Sequence, residues 1–158
     1  MIRFGIISAT DPSTGRVRVQ YNDADGIVTY WLPVLQSKTL KDKHYYMPDI
    51  NEQVACMMDE HGEEGIVLGA IYSDADTTPI SNQDKYHITF NDGTVLEYDR
   101  ANHILTANVQ GVANITAQTA NITAEINING NVNVSGSMTV SGTVTSTFVG
   151  TVHGSCTS

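Results

Sequence analysis

The chain has 158 residues, a formal net charge of -9 and 41% hydrophobic residues, enough for one ordinary folded domain plus something smaller but not for a second large domain. All eight Lys and Arg lie at or before Arg100, as do all Asp and Glu except Glu125, so residues 101–158 are a different material from residues 1–100. An acidic surface gains nothing from counterion release, which argues against nucleic acid phosphates and anionic headgroups as partners of the free chain.

The N-terminus "MIRFGIISATDP" lacks the long apolar core and small-residue cleavage site of a Sec signal, and nowhere do 18 apolar residues run together. The two cysteines, Cys56 and Cys156, sit in different halves without metal-ligand spacing, as expected of free thiols in a chain made in a reducing bacterial cytoplasm.

Short β-like runs then alternate with turn signals. "FGIISAT" leads through "DPSTG" into "RVRVQY", which places Val17, Val19 and Tyr21 on one face and Arg16, Arg18 and Gln20 on the other. "NDADG" turns the chain into "IVTYWLPVL". After the polar insert "QSKTLKDKHYYMPDINE" come "QVACMM", the loop "DEHGEEG" and "IVLGAIY". About five short strands in residues 1–72, with no helical period, predict a small closed or partly open β-barrel. Residues 73–85 have linker composition. In 86–103, "YHITF" and "TVLEYD" flank Asn91-Asp92-Gly93, where Asp-Gly predicts a tight two-residue hairpin turn; "ANHILTANV" supplies a further strand leading into a tail over 104–158.

The tail alternates with unusual persistence. From Ile122 the even positions are Ile, Ala, Val, Met or Gly and the odd ones almost all Asn, Thr or Ser, a strand programme with one dry face and one wet face. The predicted dry face carries Ile122, Ile126, Ile128, Val132, Val134, Met138, Val140 and Val144, with turns at Gly130, Gly136 and Gly142, six residues apart. Upstream, "ANITAQT" and "ANITAEI" repeat at seven, and the apolar register moves from odd positions (Ala113, Ile115, Ala117) to even ones (Ala120, Ile122), which calls for a bulge or turn near Gln118-Thr119. A disordered linker needs no such alternation, and regular glycines behind a well-formed domain disfavour amyloid-like stacking. No helix or long hydrophobic segment remains to cover the stripe, so copies of the chain must cover one another. The predicted fold class is therefore all-β: an N-terminal barrel followed by a C-terminal intertwined trimeric β-helix or β-prism.

"GIISATDPSTGRVRVQY", "TYWLPVL", "PDINEQVACMM" and "GIVLGAIY", followed by "FNDGTVLEYD" and the β-repeat tail, resemble the baseplate assembly protein V family of contractile-tailed phages, whose members are related to the spike portions of type VI secretion and tailocin machines. Asn51-Glu52-Gln53-Val54 departs from the usual Gly-Glu-Gln-Val, but Asn also adopts the left-handed turn conformation. The resemblance implies a homotrimer, an oligonucleotide/oligosaccharide-binding (OB) type barrel docked on a baseplate hub, and a needle that pierces the Gram-negative outer membrane mechanically when the sheath contracts. It places the protein at the tail tip of a virion or tailocin particle, in some cases with a separate tip protein. Residues 72–86 leave no room for the lysozyme domain that some relatives carry, so no enzyme is expected and no catalytic residue is assigned. The other reading is a carbohydrate- or nucleic-acid-binding OB module on a trimeric β stalk.

Some spikes of the family end in His-x-His, whose six imidazoles hold an iron ion on the threefold axis. His153 matches one of these positions and Ser155 stands at the other, so three copies of His153 with water are a candidate apical metal site for iron or another ion; an unbroken even register instead turns His153 outward. Elsewhere, "DEHGEEG" reads as an exposed hairpin loop, Arg16 and Arg18 as a solvated strand face or hub contact, and Trp31 as a barrel core or rim residue.

Overall fold

The computed structural model describes residues 1–22 and 26–145, and its internal contacts divide the chain into Met1–Ala113 and Asn114–Ser158. The first unit contains eight strands: β1 (Ile2–Asp11), β2 (Arg16–Tyr21), β3 (Leu32–Pro33), β4 (Gln53–Met58), β5 (Gly65–Ala70), β6 (Lys85–Thr89), β7 (Val95–Asp99) and β8 (Ile104–Asn108). No helix occurs among the described residues.

Strands β1 to β5 form one antiparallel sheet in the order β3-β2-β1-β4-β5. Its two outer strands meet: Val34 bridges Val67 in parallel, and the Leu35 N–H donates to the Val67 carbonyl at 2.9 Å. The sheet thus curls into a nearly closed five-stranded barrel. Alternation decides what lies inside, because Val17, Val19 and Tyr21 of β2 point inward at 0, 0 and 3% exposure while Arg16 and Gln20 remain outside. Ile7, Leu32, Val54, Cys56, Met58 and Val67 complete the core. Each large apolar side chain buried there contributes about 1.5–3 kcal/mol relative to exposure.

β1 serves two neighbours. Its first half pairs with β4 and its second with β2, and the register shifts between Ile7 and Ala9 so that Ser8 is an extra residue. That bulge supplies the bend a small barrel requires. At Gly5 both pairings coincide, and a Cβ there would lie 2.5 Å from the Gln20 carbonyl oxygen and from Val19 Cγ1.

The predicted run "IVTYWLPVL" is strand only at Leu32–Pro33, flanked by bridges from Val28 to Gln20 and from Val34 to Val67. This segment changes partner from β2 to β5 within a few residues, and Pro33 has no N–H to donate, so no long ladder forms. The following insert is clamped by Gln36, whose amide donates to the Tyr46 carbonyl at 2.6 Å and accepts from the Tyr46 N–H at 3.0 Å. It ends in the turn Asp49-Ile50-Asn51-Glu52, closed by Glu52 N–H to the Asp49 carbonyl at 3.1 Å. Asn51 has φ 76°, the left-handed conformation foreseen for it and the one a type II turn requires at its third residue.

β6, β7 and β8 form a separate antiparallel meander. The β6–β7 turn differs from the two-residue form expected. Phe90 N–H donates to the Thr94 carbonyl and Gly93 N–H to the Phe90 carbonyl, both at 2.9 Å, so Asn91, Asp92 and Gly93 make a three-residue loop. Only Gly93 in it has positive φ, 85°, while Asp92 receives the Thr94 N–H at 2.8 Å. A type I turn closed by a left-handed glycine matches strand twist as well as the predicted form does.

In the second unit, residues 114–145 are extended and form no strand ladder. The backbone bends at Gln118, Ala124, Gly130, Ser135–Gly136 and Ser141–Gly142. The preceding bend is Gln110–Gly111, so, counted from the last residue of each bend, the first interval is seven residues and each later one is six. An odd interval reverses the face that alternate residues present and an even one preserves it, which accounts for the single change of apolar register in the tail.

Candidate functional site

The barrel is closed at Val34 and Val67 but splays apart toward the first residues of β3 and β5. A groove of about 800 Å³ opens there, with Trp31, Leu32 and Pro33 on one side, Met57, Gly65 and Ile66 on the other, Arg16 at the β2 end and Glu63 and Glu64 at the lip. Trp31 is a rim residue rather than a core one. Arg16 is exposed, whereas Arg18 turns along the barrel wall to donate from Nε to the Thr29 carbonyl at 2.9 Å; the two arginines expected to share a strand face therefore act separately.

"DEHGEEG" is the exposed β4–β5 turn. Asp59 closes it: its Oδ1 accepts the Glu63 N–H at 2.9 Å and the Glu64 N–H at 3.4 Å, and its own N–H donates to the Glu64 carbonyl at 2.9 Å. Partial desolvation opposes ionisation of Asp59, but the N–H groups of Glu63, Glu64 and Gly62, with His61 nearby, outweigh it and hold the carboxyl below its ordinary range. Asp59 is thus committed to its own loop. Among the described residues no three His, Cys, Asp or Glu side chains converge as a metal centre would require. Cys56 is a free thiol within the barrel core, and burial pushes its pKa up to about 11, which leaves little thiolate for chemistry at neutral pH.

The meander carries a polar network that the sequence did not single out. Glu97 on β7 accepts from Lys85 Nζ at 2.7 Å and faces His87 Nδ1 at 2.7 Å, both on β6, while His87 Nε2 lies 2.6 Å from Thr89 Oγ1. The Lys85 hydrogen bond, then that of His87, keep the Glu97 pKa below its ordinary value, and Glu97 raises that of Lys85. One turn further, Asp99 accepts from the Asn102 side chain at 2.9 Å and from the N–H groups of Ala101 and Asn102, pinning the β7–β8 turn in which His103 has φ 56°. Composition places Lys85 at the end of the linker, whereas it opens β6; the pairing of Lys85, His87 and Glu97 needed the hairpin register, which the two-residue turn would have shifted.

In the second unit the predicted dry face is unoccupied within the chain itself. Ile122, Ile126, Ile128 and Val132 are 69, 57, 63 and 62% exposed, and Val134, Met138, Val140 and Val144 are exposed likewise. A Cβ placed on Gly130, Gly136 or Gly142 would meet nothing within 4 Å. His153, the candidate metal ligand, and Cys156 lie outside the described residues.

A five-stranded barrel with strand order β3-β2-β1-β4-β5 and a parallel β3–β5 closure is an OB-type barrel. Residues 3–72, which cover the five barrel strands except Ile2, match the family described as the Type VI secretion system/phage-baseplate injector OB domain. Over the chain as a whole, 127 residues align at 35% identity with the spike protein of Escherichia phage P2, covering 80% of this chain and 58% of that relative. The chain therefore spans a little over half the length of the relative it matches. The likeness continues past the barrel, since 127 aligned residues exceed the 70 from residue 3 to residue 72.

Proposed function

We propose that this chain is the trimeric central spike of a contractile phage tail or tailocin baseplate. Residues 1–72 are the attachment collar on the hub, 73–85 a linker, 86–103 a hairpin and transition, and 104–158 the needle. The observation that carries this reading is the tail: a stripe of Ile, Val and Met on alternate residues, exposed in the single chain and interrupted by bends every six residues. Apolar surface of that extent is stabilised only by burial, and free strand edges require pairing. Three identical chains wound about one axis satisfy both needs, with Ile122 to Val144 as stacked inward layers and the glycines at corners where another backbone passes closely.

The function is mechanical rather than catalytic. A narrow shaft whose side chains carry no charge beyond Glu125 presents little that resists passage through a bilayer, and interchain strand pairing stiffens it along its length. The baseplate family and the phage spike relative support the same role. At the apex, His153 from three chains is the candidate holder of an axial metal ion, and a separate tip protein is the other way to finish the shaft.

Native mass spectrometry of the full chain, with gel mobility in detergent before and after heating, tests this reading. A heat- and detergent-resistant trimer is expected. A stable monomer overturns it.

A further inference from the structure

The groove beside the barrel seam has a built wall. Asp59 N–H donates to the Glu64 carbonyl, and the Met58 N–H and carbonyl are both taken by Met1, at 2.7 and 2.6 Å. Gly65 is the ladder partner of Met58. Antiparallel ladders alternate pairs that exchange hydrogen bonds with pairs that do not, so Gly65 turns its N–H and carbonyl away from β4 and toward the groove. It can carry no side chain there, because a Cβ would run into the Met57 carbonyl oxygen and Met58. β5 is an edge strand, and its far side meets β3 only at Val67.

Bare backbone, an apolar floor and charged ends together define an occupant. We propose that the groove between β3 and β5 receives an extended peptide segment of the baseplate hub, alternating basic and apolar residues, which pairs as a short added strand with the outward main-chain groups of Gly65. Strand addition derives affinity from main-chain hydrogen bonds and specificity from alternate side chains. Here the apolar side chains of the segment rest on Trp31, Pro33 and Met57, and its basic ones face the exposed side chains of Glu63 and Glu64. Arg16, which lines the same groove, disfavours a uniformly cationic ligand. The inference rests on the spike reading, since that reading supplies the hub.

Trp31 is the only tryptophan in the chain, so its fluorescence reports the groove directly. The full-length protein is titrated with acetyl-Lys-Val-Lys-Val-Lys-Val-amide, with the same peptide N-methylated on alternate valines, and with its Glu-for-Lys counterpart. Saturable change in Trp31 emission is expected for the first peptide, with loss of the response on N-methylation and on exchange to Glu. The double substitution Glu63→Lys/Glu64→Lys, on exposed positions that leave the core untouched, is expected to weaken binding about tenfold, corresponding to about 1.4 kcal/mol. Absence of a saturable response, equal responses to both charge types, indifference to the double substitution, or a response to oligothymidylate instead of the basic peptide each overturns the proposal. Native mass of the same preparations separates the two ideas: a resistant trimer that ignores the peptide removes the groove assignment alone, whereas a monomer removes the spike reading.

Discussion

Val34 lies opposite Val67 as a parallel partner at the one place where the two outer strands of the barrel meet. Val67 is fully buried in the apolar barrel core, so its replacement by the similarly shaped Thr buries a hydroxyl there. Val67→Thr is expected to cost about 1–3 kcal/mol, read as a lowered urea midpoint of Trp31 fluorescence. An unchanged midpoint would mean that water reaches the seam.

Gly5 offers a sharper test of how tightly β1 is drawn into the barrel. With both Val19 Cγ1 and the Gln20 carbonyl 2.5 Å from the site of a new Cβ, Gly5→Ala must move backbone, not merely a side chain. A loss of about 1–3 kcal/mol is expected in the same denaturation experiment.

At Asn51 the direction depends on the replacement. Its φ of 76° costs an ordinary L-residue about 1–2 kcal/mol and glycine almost nothing. Asn51→Ala should therefore lower stability while Asn51→Gly leaves it unchanged or slightly raised. If both variants lose equally, the Asn51 side chain rather than its backbone supports the turn.

Acidification should loosen the meander. Glu97 and Asp99 have folded-state pKa values below their ordinary 4.5 and 3.8, so their stabilisation is fully present above those values and is lost as pH falls through the lower, folded ones. Lys85, raised from 10.5, behaves oppositely: its contribution is present below 10.5 and is lost as pH rises through the folded value. Glu97→Gln should flatten the acid limb of amide-exchange protection measured across residues 85–99. An acid limb identical to that of the unmodified chain would show that the Lys85–Glu97–His87 network contributes nothing to holding the strands.

For the tail, the proposed three-chain shaft predicts that Ile126→Asp or Val132→Asp abolishes trimers in native mass spectrometry, because in that arrangement each substitution brings three like charges close to one axis. Survival of a heat-resistant trimer in either variant would show that the even-numbered face points outward.

Much of this architecture was legible from residue types alone. Alternation in "RVRVQY" put Val17, Val19 and Tyr21 inside, and all three are buried; the left-handed Asn51 followed from the turn chemistry of Asn. What escaped prediction depends on register and topology. The β3 run looked like one long strand because composition does not reveal that Val28 and Val34 bridge to different strands. The Asp92-Gly93 turn came out one residue longer because its flanking residues permit either hairpin, and the choice is settled by the Phe90–Thr94 hydrogen bond. Gly65 gave no sign of its exposed backbone, since that follows only from the occupation of Met58 by Met1. The apical metal site expected at His153 lies outside the described residues.

The regular bends of the tail make its length a counted quantity. Between Gln118 and Gly142 every interval is six residues, an even number, so insertion or removal of one whole interval lengthens or shortens the chain while every later side chain keeps its face. A change of one or three residues exchanges the faces of everything downstream, sending Asn and Thr to the dry side at a stroke. A change of length that keeps the apolar residues on one face beyond Gln118 must therefore come in even steps, of which the whole six-residue interval is the one that also keeps the bends in place.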